Sequence, residues 1–198
     1  MYIGNTGTEG LHHLASEILD NAMDEAVDGH ANKISVNLQK NNLLAITDDG
    51  RGIPVDKHPK LKKSALEVIL TTLHSGGKFK EGVYRVSGGL HGVGLSVVNA
   101  LSSFLEVQVF KKSFVYSQKY KFGKPVTKLK KTKNRKKNTG TRISFQPDKN
   151  IFSFNDTFNA QKIYEMAKTK AYLFGGTKIS WSTDCKLDKK TTIPKKEE

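Results

Sequence analysis

The hydrophobic period changes once near the start of the chain, and that change restricts the fold more than any other feature. From Thr8 to Asp28 the apolar residues Leu11, Leu14, Ala15, Ile18, Ala22 and Ala26 recur at steps of three and four, the mark of an amphipathic helix, and Gly29 ends it. Ile34, Val36 and Leu38 then alternate with polar residues, Asn41-Asn42 turns the chain, and Leu44 and Ile46 lead to Asp48, which predicts a hairpin. Ser64-Ala-Leu-Glu67 is a capping box that opens a second helix through about Leu73. Glycine is dense from Ser75 to Gly94 and periodicity fails there, so a long loop is expected, followed by a helix from near Leu95 to Ser102. Leu105, Val107 and Val109, then Phe114, Tyr116, Tyr120 and Phe122, predict two strands joined near Lys111-Lys112. Lys128 to Asn138 is almost wholly polar and is expected to be a solvated basic loop. Ile143 and Phe145 mark a strand, Thr157 to Leu173 a helix, and Ile179 and Trp181 a last strand, with a charged and frayed tail over 186–198. Hairpins outnumber strand-helix-strand units. The expected class is therefore α+β, a two-layer sandwich with helices on one face of a mostly antiparallel mixed sheet, in one domain over residues 1–185.

The balance of 33 Lys and Arg against 19 Asp and Glu gives a net charge of +14, which suits either a protein that works beside polyanions or a lysine-rich composition with no such role. The single cysteine, Cys185, excludes an internal disulfide and a cysteine metal set. No apolar run approaches the roughly 20 residues of a membrane span, and no signal-peptide pattern opens the chain.

Four segments bear on chemistry. At about 100° per residue, His13, Glu17, Asp20, Asn21, Asp24 and Asp28 share one helix face beside the apolar stripe. A carboxylate at the rim of a core can activate water, and an asparagine one turn on offers magnesium a neutral oxygen; a solvated acidic face is the plainer reading of the same pattern. Asp48 ends a strand and precedes Asp49-Gly50-Arg51-Gly52, so its carboxylate either accepts a hydrogen from an adenine amino group, with Gly52 admitting the ring, or merely closes a glycine-rich turn. Gly88-Gly89-Leu90-His91-Gly92-Val93-Gly94 runs into a predicted helix, where free N–H groups make an anion site. It lacks the Gly-Lys-Ser/Thr of a Walker loop and the preceding strand of a dinucleotide fold. His91 is a phosphate donor or a loop residue. Thr139-Gly140-Thr141 opens a strand, and Thr141 presents its hydroxyl to a base or serves only as a β-branched opener.

The order and spacing of these segments resemble the GHKL, or Bergerat, ATP-binding fold shared by type II DNA topoisomerases, Hsp90 chaperones, MutL proteins and histidine kinases. The likeness runs from Met1-Tyr-Ile-Gly4 to about Trp181. It is densest in Glu17 to Glu25, Asp48 to Pro54, His74 to Phe79, and Tyr84 through the Gly88–Gly94 run to Leu101. There the chain is most similar to the B subunits of DNA gyrases, and next to the ParE-type subunit of topoisomerase IV.

The resemblance implies an ATP-hydrolysing domain whose nucleotide-driven dimer closure gates DNA strand passage and supercoiling. It implies Glu17 as general base with His13 orienting it, Asn21 as the Mg2+ ligand, Asp48 as adenine acceptor with Thr141 beside it, and Tyr84 against adenine. Arg51, paired with Glu25, would cover the ring; Gly92, Val93 and Gly94 would cradle phosphate near Lys78. Asp24, Gly52, Ile53, Pro54, Leu90 and His91 complete the expected nucleotide-binding set. ATP and Mg2+ are the implied cofactors. DNA, a gyrase A subunit and a second copy of the full-length subunit are the implied partners, with aminocoumarin-type inhibitors as further ligands and no membrane. The family's N-terminal dimerisation arm and its following transducer domain are not in the sequence, so a monomeric fragment with weak turnover is expected. Lys111 stands where gyrases commonly carry arginine, and lysine lacks the planar fork, which predicts weaker aminocoumarin binding. The implied location is the bacterial cytoplasm or a bacterial-derived organelle such as an apicoplast or chloroplast. The reading set against all this is a basic DNA-binding module with no nucleotide activity.

Overall fold

A nine-stranded mixed sheet with four helices organises the chain in the computed structural model, which describes residues 3–58, 61–73, 93–152, 156–187 and 191–198. Helix α1 spans Thr8–Val27. Its start is fixed by Asn5, whose Oδ1 accepts from the N–H groups of Gly7 (3.0 Å) and Gly10 (3.1 Å). A Cβ on Gly10 would lie 1.8 Å from the Asn5 carbonyl oxygen, so this close approach requires glycine. At the other end Gly29 takes φ +75°, and the N–H groups of His30 and Ala31 both donate to the Glu25 carbonyl.

Strands β1 (Lys33–Gln39) and β2 (Leu43–Asp48) form the expected hairpin, turned by Asn41 and Asn42 at φ 61° and 60°. Helix α2 (Ala65–Thr71) begins at Ser64, whose hydroxyl accepts from the Glu67 N–H, and it stops two residues before Leu73 because Thr72 is already extended. Helix α3 (Gly94–Ala100) leads into β3 (Ser102–Phe110), β4 (Phe114–Lys121), the two-residue β5 (Lys124–Pro125), β6 (Lys130–Lys133) and β7 (Gly140–Pro147). Helix α4 (Ala160–Leu173) starts three residues later than the periodicity predicts. Asn159 is its cap, and Phe158 before it is drawn into the core with its N–H bonded to Asn42 Oδ1. Strands β8 (Lys178–Thr183) and β9 (Lys196–Glu197) finish the sheet.

Spatial order is β5-β4-β3-β7-β2-β1-β8-β9, with β6 also paired to β4. All pairings are antiparallel except β1 with β8. Val36, Leu44, Ile46, Val107, Ile143, Phe145 and Trp181 point to one face, where they meet Leu11, Leu14, Ile18, Leu66, Leu70 and Val98 of the helices. The opposite face carries Ser35, Thr47, Gln108 and Arg142. This is the α+β two-layer arrangement expected from the alternation.

Two expectations for the polar segments are corrected. The Lys128–Asn138 run is not wholly loop, because its residues 130–133 pair with β4 as the edge strand β6, exposed along its length. The tail is not frayed over 191–198: Ile193 is buried, the Trp181 indole N–H donates to the Pro194 carbonyl (2.9 Å), Tyr164 bonds to Glu197, and β9 pairs with β8. Lys78, Tyr84, Leu90, His91 and Gly92, with the expected loop from Ser75, lie outside the described residues except for Val93 and Gly94.

Candidate nucleotide site

Helix α1 supplies one wall. Glu17, Asn21 and Glu25 stand at successive turns, so the first and last are about 12 Å apart along the axis at 1.5 Å per residue. At the Glu25 end the loop after β2 closes over the helix. The Arg51 guanidinium meets Glu25 Oε1 at 2.7 Å and Asp28 Oδ2 at 3.4 Å, and the Arg51 backbone N–H donates to Glu25 Oε2 at 2.9 Å. Burial works to raise the proton affinity of Glu25, but these contacts with Arg51 outweigh it and hold the carboxyl below its usual range. The predicted Glu25–Arg51 pair is thus present. Asp28, which periodicity alone places only on the helix face, joins it.

Asp48 ends β2 and is 7% exposed. Its Oδ1 accepts from the N–H groups of Gly50 (2.9 Å) and Thr141 (3.3 Å), so this oxygen is committed within the protein. Burial pushes the carboxyl up to about 7 against the Gly50 hydrogen bond, and the charge of Glu25 adds to the rise. Thr141 comes beside Asp48 because β7 pairs with β2 in the register Asp48↔Thr141. The Ile53 N–H donates to Thr141 Oγ1 at 3.1 Å, which leaves the hydroxyl proton for another acceptor. Ile53 is half-buried against the core, and Pro54 is exposed.

Glycines allow this crossing. Gly52 has φ +76°, and a Cβ there would come 2.8 Å from the Gly140 carbonyl oxygen and 2.9 Å from Val109 Cγ1. At Gly140, φ +130°, a Cβ would lie 2.0 Å from the Asp48 carbonyl oxygen. Lys111, which follows β3, donates to the carbonyls of Arg51 (2.8 Å) and Gly52 (3.0 Å), and burial lowers its proton affinity. Asp49 Oδ1 accepts from the backbones of Asn32 and Lys33, tying the loop to the start of β1. Sequence alone gives neither Lys111 nor Asp49 such a structural role. Each stands just past the end of an alternating strand, and that alternation does not say which distant backbone groups it meets, so only the fold reveals these bonds.

At the Glu17 end, His13 Nε2 lies 3.1 Å from Glu17 Oε1, in keeping with their spacing of four residues. Glu17 Oε2 faces α3 so closely that a Cβ on Gly94 would meet it at 2.1 Å. Val93, buried, is the residue before α3. Asn21 Nδ2 donates to the Glu17 carbonyl at 2.6 Å, which turns the amide oxygen away from the helix backbone. Asp24 is half-buried on the same helix. Asp20 has a structural use instead: it accepts from Ser16 and pairs with Lys170 of α4 at 2.6 Å. His12, next to His13, is also structural, with Nδ1 at 2.7 Å from the Thr8 carbonyl and Nε2 accepting from the Asn159 N–H.

Among the described residues no cluster of three or more His, Cys, Asp or Glu could cage a metal ion. The single amide oxygen of Asn21 still fits Mg2+, which keeps most of its waters and takes few protein ligands. A cavity of about 250 Å3 lined by Lys33, Ser35, Thr47, Thr139 and Ser180 lies on the open face of the sheet, and reaches this site only through Asp48 and Asp49.

Residues 6–151, which include the helical wall, the carboxylate at the strand end and the glycine crossing, match the model of the histidine kinase-, DNA gyrase B- and HSP90-like ATPase family. The chain belongs to that family. It is 54% identical over 197 residues to the B subunit of DNA topoisomerase 4 from Rickettsia felis, covering 99% of this chain and 30% of that protein. It is 46% identical to the B subunit of DNA gyrase from a Synechocystis species, covering 91% of this chain and 17% of that protein. The chain therefore spans under a third of these curated relatives. The crystal structure of the 43K ATPase domain of Thermus thermophilus gyrase B with an aminocoumarin superposes with a TM-score of 0.81 at 42% identity, over 92% of this chain and 46% of that one. The described helices contain none long and apolar enough to cross a membrane.

Proposed function

We propose that this chain is the ATP-binding and ATP-hydrolysing domain of the B subunit of a type II DNA topoisomerase of the gyrase type. The observation that carries the reading is the placement of Glu17 and the Asp48–Arg51–Glu25 group at the two ends of one helical wall, about 12 Å apart, a span that accommodates a nucleoside triphosphate. Asp48 Oδ2, which bonds to none of the described residues, accepts from the adenine amino group, and the Thr141 hydroxyl donates beside it. Arg51, held flat by Glu25, covers the ring. Glu17 takes a proton from the attacking water, with His13 fixing its orientation. Asn21 would hold Mg2+, which when bound neutralises charge on the phosphate oxygens. Tyr84, Lys78, Leu90, His91 and Gly92 complete the set proposed from the family resemblance.

In the whole protein, nucleotide binding would close two subunits over a DNA segment and hydrolysis reopen them, with a gyrase A subunit handling strand breakage. The same site would take aminocoumarins, with Lys111 as a position that tunes their affinity. A bacterial cytoplasm, or an organelle of bacterial descent, is the compartment that fits. Topoisomerase IV rather than gyrase is the second reading, favoured by the 54% identity to the Rickettsia protein.

Calorimetry with a non-hydrolysable Mg-ATP analogue tests the proposal. Saturating nucleotide at about 100 times Kd should stabilise the fold by about 2.7 kcal/mol. Asp48→Asn would set an amide N–H2 against the adenine amino group and should weaken binding at least tenfold, whereas Glu17→Ala should keep binding and abolish hydrolysis. Unchanged affinity in Asp48→Asn would refute the adenine assignment.

A further inference from the structure

Between Val107 and Pro147 there are thirteen Lys and Arg and not one Asp or Glu, so nearly all of the net charge of +14 lies in a single stretch of sequence. The fold gathers that stretch at one end of the sheet, in β3, β4, β5, β6 and β7. Among the described residues, the one ion pair these cations make is Lys119 with Glu106, at 3.8 Å. Strand β6 is the outer partner of the first half of β4, and all four of its residues, Lys130, Lys131, Thr132 and Lys133, are exposed.

The turn that follows β6 is held rather than loose. Asn134 is 6% exposed amid exposed neighbours. Its Nδ2 donates to the carbonyls of Lys111 and Asn138, both at 2.8 Å, its Oδ1 accepts from the Lys136 N–H, and its own N–H donates to Ser113. Arg135, Lys136 and Lys137 are thereby presented on a fixed backbone. A row of cations so arranged, with no carboxylate among them, costs stability through mutual repulsion, which an extended polyanion would relieve.

We propose that the β4–β6 edge and its Asn134-anchored turn form a docking surface for the phosphate backbone of duplex DNA. The surface is separate from the nucleotide site, and in taking DNA as the polyanion it rests on the topoisomerase reading of the chain. The double helix carries a charge every 1.7 Å or so along its axis, which matches a linear array better than a compact anion does. Duplex is favoured over single strands because Lys131 already stands over the rings beside β6: its ammonium sits 3.9 Å from the centre of Phe114, which is 39% exposed, and 5.7 Å from that of Tyr116. An unpaired base could stack there only by displacing the Lys131 ammonium, whereas phosphates would meet it directly.

The test is fluorescence anisotropy of a labelled duplex of about 25 base pairs against salt concentration, using the wild-type chain, the triple variant Lys130→Gln/Lys131→Gln/Lys133→Gln, and a control, Lys40→Gln/Lys57→Gln/Lys162→Gln, that removes equal charge elsewhere. The edge variant should bind at least tenfold more weakly, with a salt slope shallower by about two to three; the control should change affinity less than threefold. Equal losses in both variants, no duplex binding by wild type, or tighter binding of a single strand of the same length would each overturn the proposal. Melting temperature with and without Mg-ATP analogue is read in parallel. Its rise on nucleotide addition should persist in the edge variant, which separates failure of this surface from failure of the nucleotide site or of folding.

Discussion

At Asp48 the demands of binding and of stability oppose one another. A carboxylate whose folded pKa is raised from 3.8 to about 7 binds its proton more tightly folded than unfolded. Its contribution to stability therefore declines as pH rises between those values and is level above them. Replacing it with asparagine removes this slope. The melting temperature of Asp48→Asn relative to wild type should increase from about pH 5 to about pH 8, while nucleotide affinity of the wild type should improve over the same range, since the ionised carboxylate is the stronger acceptor. A pH-independent difference in melting would show that the carboxyl is not desolvated. His12 acts in the other sense: burial lowers its pKa from 6.5, so the stability it contributes is present above 6.5 and is lost as pH falls from there through the lower folded value. Comparing variant with wild type at each pH cancels that background.

Between elements, contacts at the site leave little clearance. Helix α3 meets α1 where Gly94 faces the Glu17 carboxylate, and Gly94→Ala would bring a methyl to 2.1 Å from Oε2. The carboxylate would have to swing aside, so hydrolysis should fall more than tenfold with a smaller change in the affinity for a non-hydrolysable analogue; steady-state turnover and calorimetry on the same preparation check this. Asn99, fully buried in α3, donates to the Leu70 carbonyl at the end of α2 and to the Gly123 carbonyl in the β4–β5 turn. Asn99→Ala leaves both carbonyls without that donor and should cost about 2–3 kcal/mol in urea unfolding. These junctions mark the limit of what sequence discloses. Ile34, Val36 and Leu38 announce β1 because one face is buried and the other is not. Strand β6, Lys-Lys-Thr-Lys, has no buried face and so no alternation, although its backbone pairs as regularly. The Glu25–Arg51 and His13–Glu17 pairs are legible from family spacing. The bonds of Lys111 and Asp49 to backbone groups are not, because they depend on where distant turns cross.

Across the whole molecule, the last eight residues close the sheet edge beyond β8. Ile193 is buried, and the Trp181 indole N–H is bonded to Pro194. Ending the chain after Leu187 would uncover Trp181 and Tyr164, which pack edge to face at 5.9 Å between centroids. The expected result is a fall in melting temperature of several degrees with a red shift of Trp181 emission, at about 2 kcal/mol for the apolar surface returned to water. An unchanged emission maximum would mean that the tail does not cover the indole.

Strand β1 lies between two partners of different origin: β2 follows it at once, whereas β8 joins it in parallel, as Asn37 and Ser182 illustrate, 145 positions apart in the chain. Such a pairing has a high loop-closure cost and forms late. During synthesis, the hairpin that ends in Asp48 therefore emerges from the ribosome long before its outer neighbour exists. The Asp48 end of the site matures only once β8 has been made, and a nascent chain halted before Trp181 should be unable to retain ATP.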